Sequence, residues 1–360
     1  MTKPKMQMRK TGAAGVLCVA ALPGLFALLG CHARPVDRPP VKKIPEELSE
    51  FIFTEAPFAH CHASTIVELA DGELLAAWYG GTREGSQDVA IWGARRSGDS
   101  WSAPFLLASQ PDAASWNPVL FRSADGTVWL FFKTGRNSQK WNGVYRTSPD
   151  GKIWSEVREL PEGILGPTRN KPVTLSNGDV LAGSSMEGRI SWTVWVDISR
   201  DQGRTWRKAG PVKAPGWNRG IIQPTLWEAH PGEVKMLTRA SGELGAIYEA
   251  TSHDNGQTWS TAKKTSLPNP DSGIDAVKMS DGRVALVYNH STTARTPLNI
   301  TFSRDDGATW EAPLTLEDAP GEYSYPAIIQ TRDGKLHITY TWRRERIKHV
   351  VIDPKAIGRE

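Results

Sequence analysis

Short hydrophobic runs separated by glycine-containing turns recur along most of the chain. Two examples are STIVELADGELLAAWYG at 64–80 and GIDAVKMSDGRVALVYN at 273–289. In each, a dipeptide ending in glycine stands between two apolar runs, and glycine supplies the positive φ that a tight hairpin turn requires. After the first 30 residues, no stretch longer than a turn has the period of an amphipathic helix. The pattern therefore predicts an all-β protein built from hairpins.

Two independent markers show that these hairpins belong to a repeat. The first is the hairpin dipeptide, whose six copies are Asp71-Gly72, Asp125-Gly126, Asn177-Gly178, Pro231-Gly232, Asp281-Gly282 and Asp333-Gly334. Counted on the glycines, the steps between copies are 54, 52, 54, 50 and 52 residues. The second marker is a turn tryptophan, whose five copies are Trp101, Trp154, Trp206, Trp259 and Trp310, at steps of 53, 52, 53 and 51. One period for two markers indicates a chain of similar units.

A unit of about 50 residues with four short strands has the size of one propeller blade. Six hairpins therefore predict a six-bladed β-propeller over residues 49–360. The turn tryptophan occurs only five times, so we expect the last blade to borrow a strand from residues near Phe51–Phe53. Such a strand would close the ring as a clasp.

Three of the tryptophan turns are nearly identical: SRDQGRTW at 199–206, SHDNGQTW at 252–259 and SRDDGATW at 303–310. Serine and aspartate side chains bond the backbone of tight turns, glycine takes the left-handed position, and tryptophan packs between sheets. A calcium loop would need a regular series of acidic ligands followed by a distal glutamate, which these turns lack. We therefore interpret the turns as structural.

The N-terminus has the features of an export signal. Four basic residues among the first ten precede an apolar run from Gly12 to Leu29, which ends just before Cys31. The segment LLGC looks like a bacterial lipobox, so we expect residues 1–30 to be a signal peptide, Cys31 to be lipidated, and residues 31–48 to be a tether. The protein would then be exported and lipid-anchored in the cell envelope, at the outer membrane or the periplasmic face. A plain signal peptide or a membrane anchor is the alternative.

Charge and cysteine content limit the chemistry. The net charge is only +4 over 360 residues and the basic residues are dispersed, so nucleic-acid binding has no support. With Cys18 in the signal and Cys31 lipidated, Cys61 stands alone, and we favour a small buried residue over a thiol nucleophile or a metal ligand. There is no phosphate-binding loop and no paired His or Cys spacing, so we expect no metal and no cofactor. We expect a monomer.

The repeated Ser-x-Asp-x-Gly-x-Thr-Trp turns resemble the Asp-boxes of sialidases, and the resemblance covers about residues 50–352. It implies a propeller fold, although Asp-boxes also occur in propellers with other activities, so function depends on the site. Sialidases hold the carboxylate of their sugar with three arginines, which match it better than lysine does. They also use an Asp acid/base and a Tyr activated by a Glu, an exception to the usual pair of carboxylates.

The last three blades match this pattern best. The segment GEYSYPAIIQTRDGKLHITYTW at 321–342 is similar to the family's Tyr-Ser segment, which makes Tyr323 the candidate nucleophile and Tyr325 the alternative. By the same resemblance, Arg295 and Arg239 are candidate ligands of the substrate carboxylate. The position at which the family has its activating glutamate is Gln223, which cannot serve as a base.

The first blade departs further from the family. His62-Ala63-Ser64 stands where sialidases have an arginine motif, so His62 becomes a candidate ligand that, unlike arginine, can titrate. After the first hairpin, the loop in GGTREGSQDVAIWGARRS at 80–97 offers two candidates for the acid, Asp88 and Glu84. Spacing does not separate them, and we slightly favour Asp88.

In the remaining blades, polar residues stand just before an apolar strand at the same position of the repeat. They occur in SWNPVLF (115–121), GPTRNKPV (166–173) and NPDSGIDAV (269–277). In a propeller this position lies on one face of the central channel. We therefore expect a group of side chains to converge there: Asn117, Arg169, Lys171, Asp275, Arg239 and Tyr323. Of these, Asn117, Lys171 and Asp275 are further candidate substrate ligands.

The site residues favour an exo-glycoside hydrolase that releases a terminal sialic acid or a related anionic sugar from extracellular glycans. Two alternatives stay open, because Gln223 and His62 replace residues that sialidases use. One is a propeller lyase or glycosidase for uronate-containing glycans, in which His62 and a tyrosine supply the acid/base chemistry. The other is a lipoprotein that binds glycans without cleaving them.

Overall fold

The structure of the protein, a computed structural model, describes residues 42–357 except residue 217. The predicted signal peptide, the predicted lipidation site Cys31 and most of the predicted tether lie outside the described residues. In the described part of the chain, no helix is long and apolar enough to cross a bilayer.

The strands form six sheets, numbered here as blades 1 to 6. Blade 1 contains β2 (His60–Glu68), β3 (Leu74–Gly81), β4 (Ala90–Ser97), β5 (Ser100–Trp101) and β6 (Phe105–Ala108). Blade 2 contains β7 (Ser115–Arg122), β8 (Val128–Thr134), β9 (Asn142–Ser148) and β10 (Arg158–Glu159). Blade 3 contains β11 (Val173–Thr174), β12 (Val180–Glu187), β13 (Trp192–Ser199) and β14 (Arg207–Val212).

The second half of the chain continues the same arrangement. Blade 4 contains β15 (Ile221–His230), β16 (Glu233–Ala240), β17 (Ala246–Ser252) and β18 (Lys263–Pro268). Blade 5 contains β19 (Asp275–Lys278), β20 (Val284–Asn289), β21 (Leu298–Ser303) and β22 (Leu314–Glu317). Blade 6 contains β23 (Tyr323–Gln330), β24 (Leu336–Trp342), β25 (Arg346–Ile352) and β1 (Leu48–Phe51). Two short 3₁₀ helices, Ser138–Lys140 and Pro354–Ala356, complete the regular structure.

The protein is an all-β, six-bladed propeller, as the sequence predicts. Each blade is an antiparallel sheet of strands that follow one another in the chain, and blade 6 is completed by the N-terminal strand β1. The pairing runs from Leu48 opposite Val351 to Phe51 opposite Lys348. The clasp therefore exists, and it begins three residues earlier than the segment expected from the sequence.

The packed part of the chain also begins earlier than expected. Lys43 forms a β-bridge with Thr315, and Ile44 is buried against the cluster formed by blades 5 and 6. Both residues lie within the segment 31–48 that the sequence indicates as a tether. The end of that segment is part of the propeller.

The repeated turns have the local structure expected of them. Asp201 accepts hydrogen bonds from the backbone N–H (2.8 Å) and hydroxyl (2.6 Å) of Thr205, and the Ser199 hydroxyl bonds both Asp201 (2.8 Å) and the N–H of Gly203 (2.7 Å). Gly203 has a φ of 93°, which favours glycine. The serine, aspartate and threonine bonds recur in the turns at 252–259 and 303–310. Trp206 then packs edge-on against Phe131 of blade 2, at 6.1 Å between ring centroids, so the turn joins neighbouring blades.

Buried apolar residues fill the spaces between adjacent sheets, as layered β-structures require. Cys61 belongs to one such cluster with Trp78 and Ile347. It is a free cysteine with 1 % exposure, and burial raises the pKa of its thiol. These surroundings are those of a small core residue and do not favour a reactive thiolate.

Candidate functional site

Four blades share one backbone irregularity near the beginning of their innermost strand. The pairing register shifts at this point in β2, β7, β15 and β23, which is the mark of a β-bulge. Each bulge contains one residue with a positive φ: Ala63 at 59°, Asn117 at 41°, Gln223 at 54° and Tyr325 at 52°. Three of these residues precede a proline, which cannot donate to the strand ladder and is therefore found at bulges. Such strained residues cluster at functional sites.

The ring of Tyr325 lies at the centre of a group of basic side chains. The guanidinium carbons of Arg169, Arg239 and Arg295 are 5.2, 5.5 and 5.5 Å from its ring centroid. The imidazole of His62 lies on the same ring, at 4.0 Å between centroids. Nη1 of Arg239 also donates a hydrogen bond to the Tyr325 hydroxyl. We call these five residues the channel cluster: His62, Arg169, Arg239, Arg295 and Tyr325. They come from five separate segments of the propeller.

Two arginines of the channel cluster are held by carboxylates. Arg239 Nε donates to Asp271 Oδ1 at 2.7 Å, and Arg295 Nη1 donates to Glu322 Oε1 at 2.9 Å. Glu322 also accepts from Nε of Arg344 at 2.9 Å. Burial opposes the charge of Arg239, but Tyr325 and Asp271 raise its pKa above the ordinary arginine value. The guanidinium is therefore a fixed, oriented cation.

Arg169 is the most enclosed of the three arginines, with 1 % exposure. Its Nη2 donates to the carbonyl of Pro326 at 2.6 Å, whereas Nε and Nη1 have no hydrogen-bond partner among the described residues. Burial lowers its pKa to about 10, which still leaves it charged at neutral pH. The sequence predicts Arg169 in the channel, as found, but it does not assign the residue to substrate binding.

His62 is buried and neutral. Its Nδ1 lies 2.9 Å from the hydroxyl oxygen of Thr341, which also accepts the backbone N–H of Ala63. Burial and the charges of Arg344 and Arg295 hold the pKa of His62 well below its usual range. Where the resemblance to sialidases implies a permanent cation, this chain therefore has an uncharged ring. The role of His62 as a ligand stays a prediction.

The two candidate tyrosines have different surroundings. Tyr323 is 1 % exposed and packs with the apolar cluster of blades 5 and 6, including the ring of Trp342 at 6.3 Å. The expected convergence of Tyr323 with Arg239 is not found, because Tyr325 occupies that place. Residues two apart share a face in a regular strand. The bulge at Tyr325 breaks that rule and turns only this side chain into the channel cluster.

The two candidate acids are both exposed but have different partners. Asp88 is exposed and accepts the backbone N–H and the hydroxyl of Thr82, both at 2.8 Å, and these bonds lower its pKa. Glu84 instead pairs with Arg344, whose Nε donates to Glu322. Glu84 is thus connected to the channel cluster, whereas no described contact connects Asp88 to it. This geometry favours Glu84 over Asp88 as the candidate, and the identity of the acid stays a prediction.

Lys171 and Asp275 pair with each other. Lys171 Nζ lies 2.8 Å from Asp275 Oδ2, which also accepts the N–H of Ile328 at 2.9 Å, while Asp275 Oδ1 accepts the hydroxyl of Thr225. Asn117 likewise uses its Nδ2 to bond the carbonyl of Thr168 at 3.0 Å. These three predicted ligands connect blades to one another, and their described bonds are to the protein itself.

The hydrogen bonds of Gln223 lead to a residue of the site that the sequence does not indicate, Glu187. Gln223 Oε1 accepts from Arg239 Nη1 at 3.1 Å, and Gln223 Nε2 donates to Glu187 Oε1 at 2.9 Å. Glu187 stands at the end of β12, in a segment whose letters resemble any exposed strand end. Only the approach of blade 3 to blade 4 reveals its position.

Comparison with known proteins assigns the fold to a family. The model of the BNR repeat-like domain matches residues 72–338, which is most of the described propeller. The chain belongs to the BNR repeat-like domain family. This BNR repeat-like chain is also similar to curated sialidases. It is 28 % identical to the sialidase of Micromonospora viridifaciens over 152 residues, and 26 % identical to that of Vibrio cholerae over 190 residues. These matches cover 39 % and 44 % of this chain, but only 22 % and 24 % of the relatives.

Solved structures share the propeller at lower identity. A protein of unknown function from Dyadobacter fermentans superposes with a TM-score of 0.72 at 20 % identity, covering 85 % of this chain and 98 % of that one. A Hadza microbial sialidase gives 0.71 at 18 % identity, covering 83 % and 67 %. A variant sialidase from Streptococcus pneumoniae gives 0.70 at 14 % identity, covering 88 % and 71 %. The BNR repeat-like chain thus has the fold of sialidases.

Proposed function

We propose that the protein is an exo-glycoside hydrolase that releases a terminal sialic acid or a related anionic sugar. The observation that carries this proposal is the enclosure of the Tyr325 ring by three guanidinium groups, of which those of Arg169 and Arg239 are buried. Guanidinium matches a carboxylate in geometry and charge, and burial strengthens the attraction. The similarity to curated sialidases supports the same class, although the chain spans only about a quarter of their length.

In this proposal the channel cluster divides the work. Arg169, Arg239 and Arg295 hold the sugar carboxylate, and the unpartnered N–H groups of Arg169 are available for it. The Tyr325 oxygen attacks the anomeric carbon as the glycosidic bond breaks, its phenolic proton passes to solvent water, and Glu84 gives a proton to the leaving oxygen. Water then displaces the tyrosine oxygen and returns one proton to Glu84, and the phenolate takes back a proton from solvent, which completes the hydrolysis. Asp88 is the alternative acid.

The hydrogen bond from Arg239 to the Tyr325 hydroxyl supports this role. A cationic donor stabilises negative charge on the phenolic oxygen, which makes the oxygen a better nucleophile. A tyrosine is also suited to an anomeric centre that bears a carboxylate, because the neutral phenol does not repel the approaching anion.

A second candidate function has its own supporting observation, the contact between the neutral His62 ring and Tyr325. In a uronate lyase, a neutral histidine removes the proton next to the sugar carboxylate. The glycosidic oxygen then leaves with a proton from the tyrosine, and a carbon–carbon double bond forms in the product. No water is consumed, so the unsaturated product distinguishes this reaction from hydrolysis.

One screen separates the candidates. The purified domain is incubated with sialosides and with uronate-containing polysaccharides, and both released sialic acid and ultraviolet absorption are measured. Free sialic acid supports the hydrolase, and rising absorption supports the lyase. Binding of anionic glycans without either product contradicts both reactions and selects a glycan-binding protein.

We also propose that the protein is exported and anchored through a lipid on Cys31. The support is the LLGC segment after an apolar run. Labelling cells with a radioactive fatty acid tests it, because the wild-type chain should carry the label and Cys31→Ser should not. A labelled Cys31→Ser chain would rule out this anchor.

A further inference from the structure

Gln223 occupies a confined position between two groups of opposite hydrogen-bonding character. On one side is the guanidinium of Arg239, and on the other is the carboxylate of Glu187. Gln223 is 2 % exposed, and its backbone is held on both sides: its N–H donates to the Ser185 hydroxyl and its carbonyl accepts from Asn170. The amide group therefore has little freedom except to turn over about its own axis.

Only one of the two amide orientations satisfies both neighbours. A guanidinium only donates hydrogen bonds, and an ionised carboxylate only accepts them. The amide oxygen of Gln223 must then face Arg239, and its nitrogen must face Glu187. The reverse orientation places N–H against N–H and oxygen against oxygen, and leaves buried polar groups without partners.

We propose that Glu187 is a positioning residue of the channel cluster: its carboxylate fixes the orientation of the Gln223 amide, which in turn holds Arg239 against the Tyr325 hydroxyl. The inference rests on the proposed function only in so far as Tyr325 takes part in the reaction. The contacts themselves form one continuous chain of hydrogen bonds, from Glu187 through Gln223 and Arg239 to Tyr325.

The hairpin that carries Glu187 also approaches Arg239 directly, through the ring of Trp192. Glu187 pairs with Trp192 across the hairpin of blade 3, and the Trp192 ring lies 5.7 Å from the guanidinium carbon of Arg239. The guanidinium carbon of Arg219 also lies near this ring, at 4.6 Å from its centroid. A cation placed near an aromatic ring is attracted to it. One hairpin thus holds Arg239 through an aromatic contact and through a carboxylate acting across an amide.

The charges facing Glu187 offset part of the effect of its burial. Burial raises the pKa of its carboxyl above the ordinary value and Asp271 adds to the rise, whereas Arg239, the Gln223 amide and Arg219 act in the opposite direction. The carboxylate therefore depends on the arginine that it helps to place. In sialidases a glutamate of blade 4 activates the tyrosine, according to the resemblance; here the carboxylate comes from blade 3 and acts through Gln223.

Kinetics test the inference through a loss and its rescue. Glu187→Gln removes the charge but keeps the shape, and we expect kcat/KM to fall by about 10- to 100-fold, as for other residues that orient a reacting group. Combining Glu187→Gln with Gln223→Glu exchanges the two groups. The carboxylate at position 223 then lies next to Arg239, and the amide at position 187 donates a hydrogen bond to that carboxylate. We expect this double variant to recover most of the loss. Glu228→Gln is the matched control, because Glu228 bonds Ser176 away from the channel cluster.

A spectroscopic measurement tests the inference without any turnover. In protein labelled with ¹³Cζ-tyrosine, the Tyr325 signal is assigned by its loss in Tyr325→Phe. We expect the chemical shift of this signal to change in Glu187→Gln and to return towards the wild-type value in the double variant. It should equal the wild-type value in Glu228→Gln.

The outcomes separate the two proposals. If no glycan is cleaved but the Tyr325 signal moves and returns, the proposed function fails and the role of Glu187 stands. If the signal and kcat/KM are unchanged in Glu187→Gln, the inference is overturned. A loss that the double variant does not rescue also overturns it, since a packing defect would behave in that way.

Discussion

The repeated turns and the bulged strand beginnings are built from the same 52-residue repeat, yet they differ in how much their sequences vary. The turns keep the same letters because their bonds are local: Ser199 and Asp201 bond groups at most four residues away. The bulges share a backbone shape but carry alanine, asparagine, glutamine and tyrosine, because their side chains meet different blades. Repetition therefore marks residues that stabilise the repeat, and departure from repetition marks residues that contact the channel.

The largest expected effect concerns the tyrosine at a bulge. We expect Tyr325→Phe to lower kcat/KM on a fluorogenic sialoside by about 10³-fold or more, since the reacting oxygen is removed. Tyr323→Phe removes a hydroxyl from a side chain that packs in an apolar cluster. It should leave kcat/KM within about threefold of wild type. A fully active Tyr325→Phe protein would remove the nucleophile assignment.

Loss of the acid should have the second largest effect on kcat/KM. Proton donation accelerates the reaction by about 10²-fold or more when the leaving group is poor, and by less when it is activated. We expect Glu84→Gln to lose about 10²-fold on substrates with a poor leaving group and much less on an activated aryl sialoside. Asp88→Asn should lose little on either, since Asp88 has its hydrogen bonds with Thr82. The opposite pattern in the two variants would restore Asp88 as the acid.

Replacing an arginine by lysine compares the two regions directly. Arg239→Lys keeps the charge but loses the planar fork, so we expect a carboxylate-bearing inhibitor to bind about 10- to 100-fold more weakly by calorimetry. Arg304→Lys, in a repeated turn, changes an exposed ion pair with Glu311 and should not affect binding. Equal affinities for wild type and Arg239→Lys would exclude Arg239 as a ligand.

A turn variant should show the converse behaviour. Asp201→Ala removes three hydrogen bonds of one turn, and we expect the free energy of unfolding to fall by about 1–3 kcal/mol. The kcat/KM of the folded protein should not change. Asp99, whose side chain is fully exposed, supplies the control Asp99→Ala in thermal unfolding. If Asp201→Ala reduced kcat/KM without lowering stability, the assignment of stability to the turns and of function to the bulges would be wrong.

The smallest effect is a dependence of stability on acid. Burial opposes the charge of Glu322, but Arg344 and Arg295 hold its pKa below the ordinary 4.5. The folded protein therefore binds this proton less readily than the unfolded chain. Glu322 should contribute stability above about pH 4.5, and the contribution should be lost as the pH falls through its folded pKa. Glu322→Gln should flatten this part of the stability curve, measured by urea unfolding; an unchanged slope would contradict it.

Some details of the fold and site could be predicted and others could not, for identifiable reasons. The clasp followed from counting five tryptophan turns against six hairpins, and Arg239 and Arg295 followed from the resemblance to sialidases. The strand β1 began earlier than expected because pairing with β25, and not any local signal, sets its ends. Glu187 could not be found, since its partner Gln223 is in another blade and 36 residues away.

The sequence by itself determined the all-β class, the number of blades and the structure of the turns. The class and the number of blades depend on a period that repeats along the chain, and the turns depend on bonds within a few residues, so both can be read from the sequence. Only the tertiary structure decided that Tyr325 enters the channel in place of Tyr323, that Glu84 is linked to the channel cluster through Arg344, and that His62 is neutral there. Each of these depends on a bulge that changes which way a side chain points, or on charges and burial brought together from blades far apart in the chain.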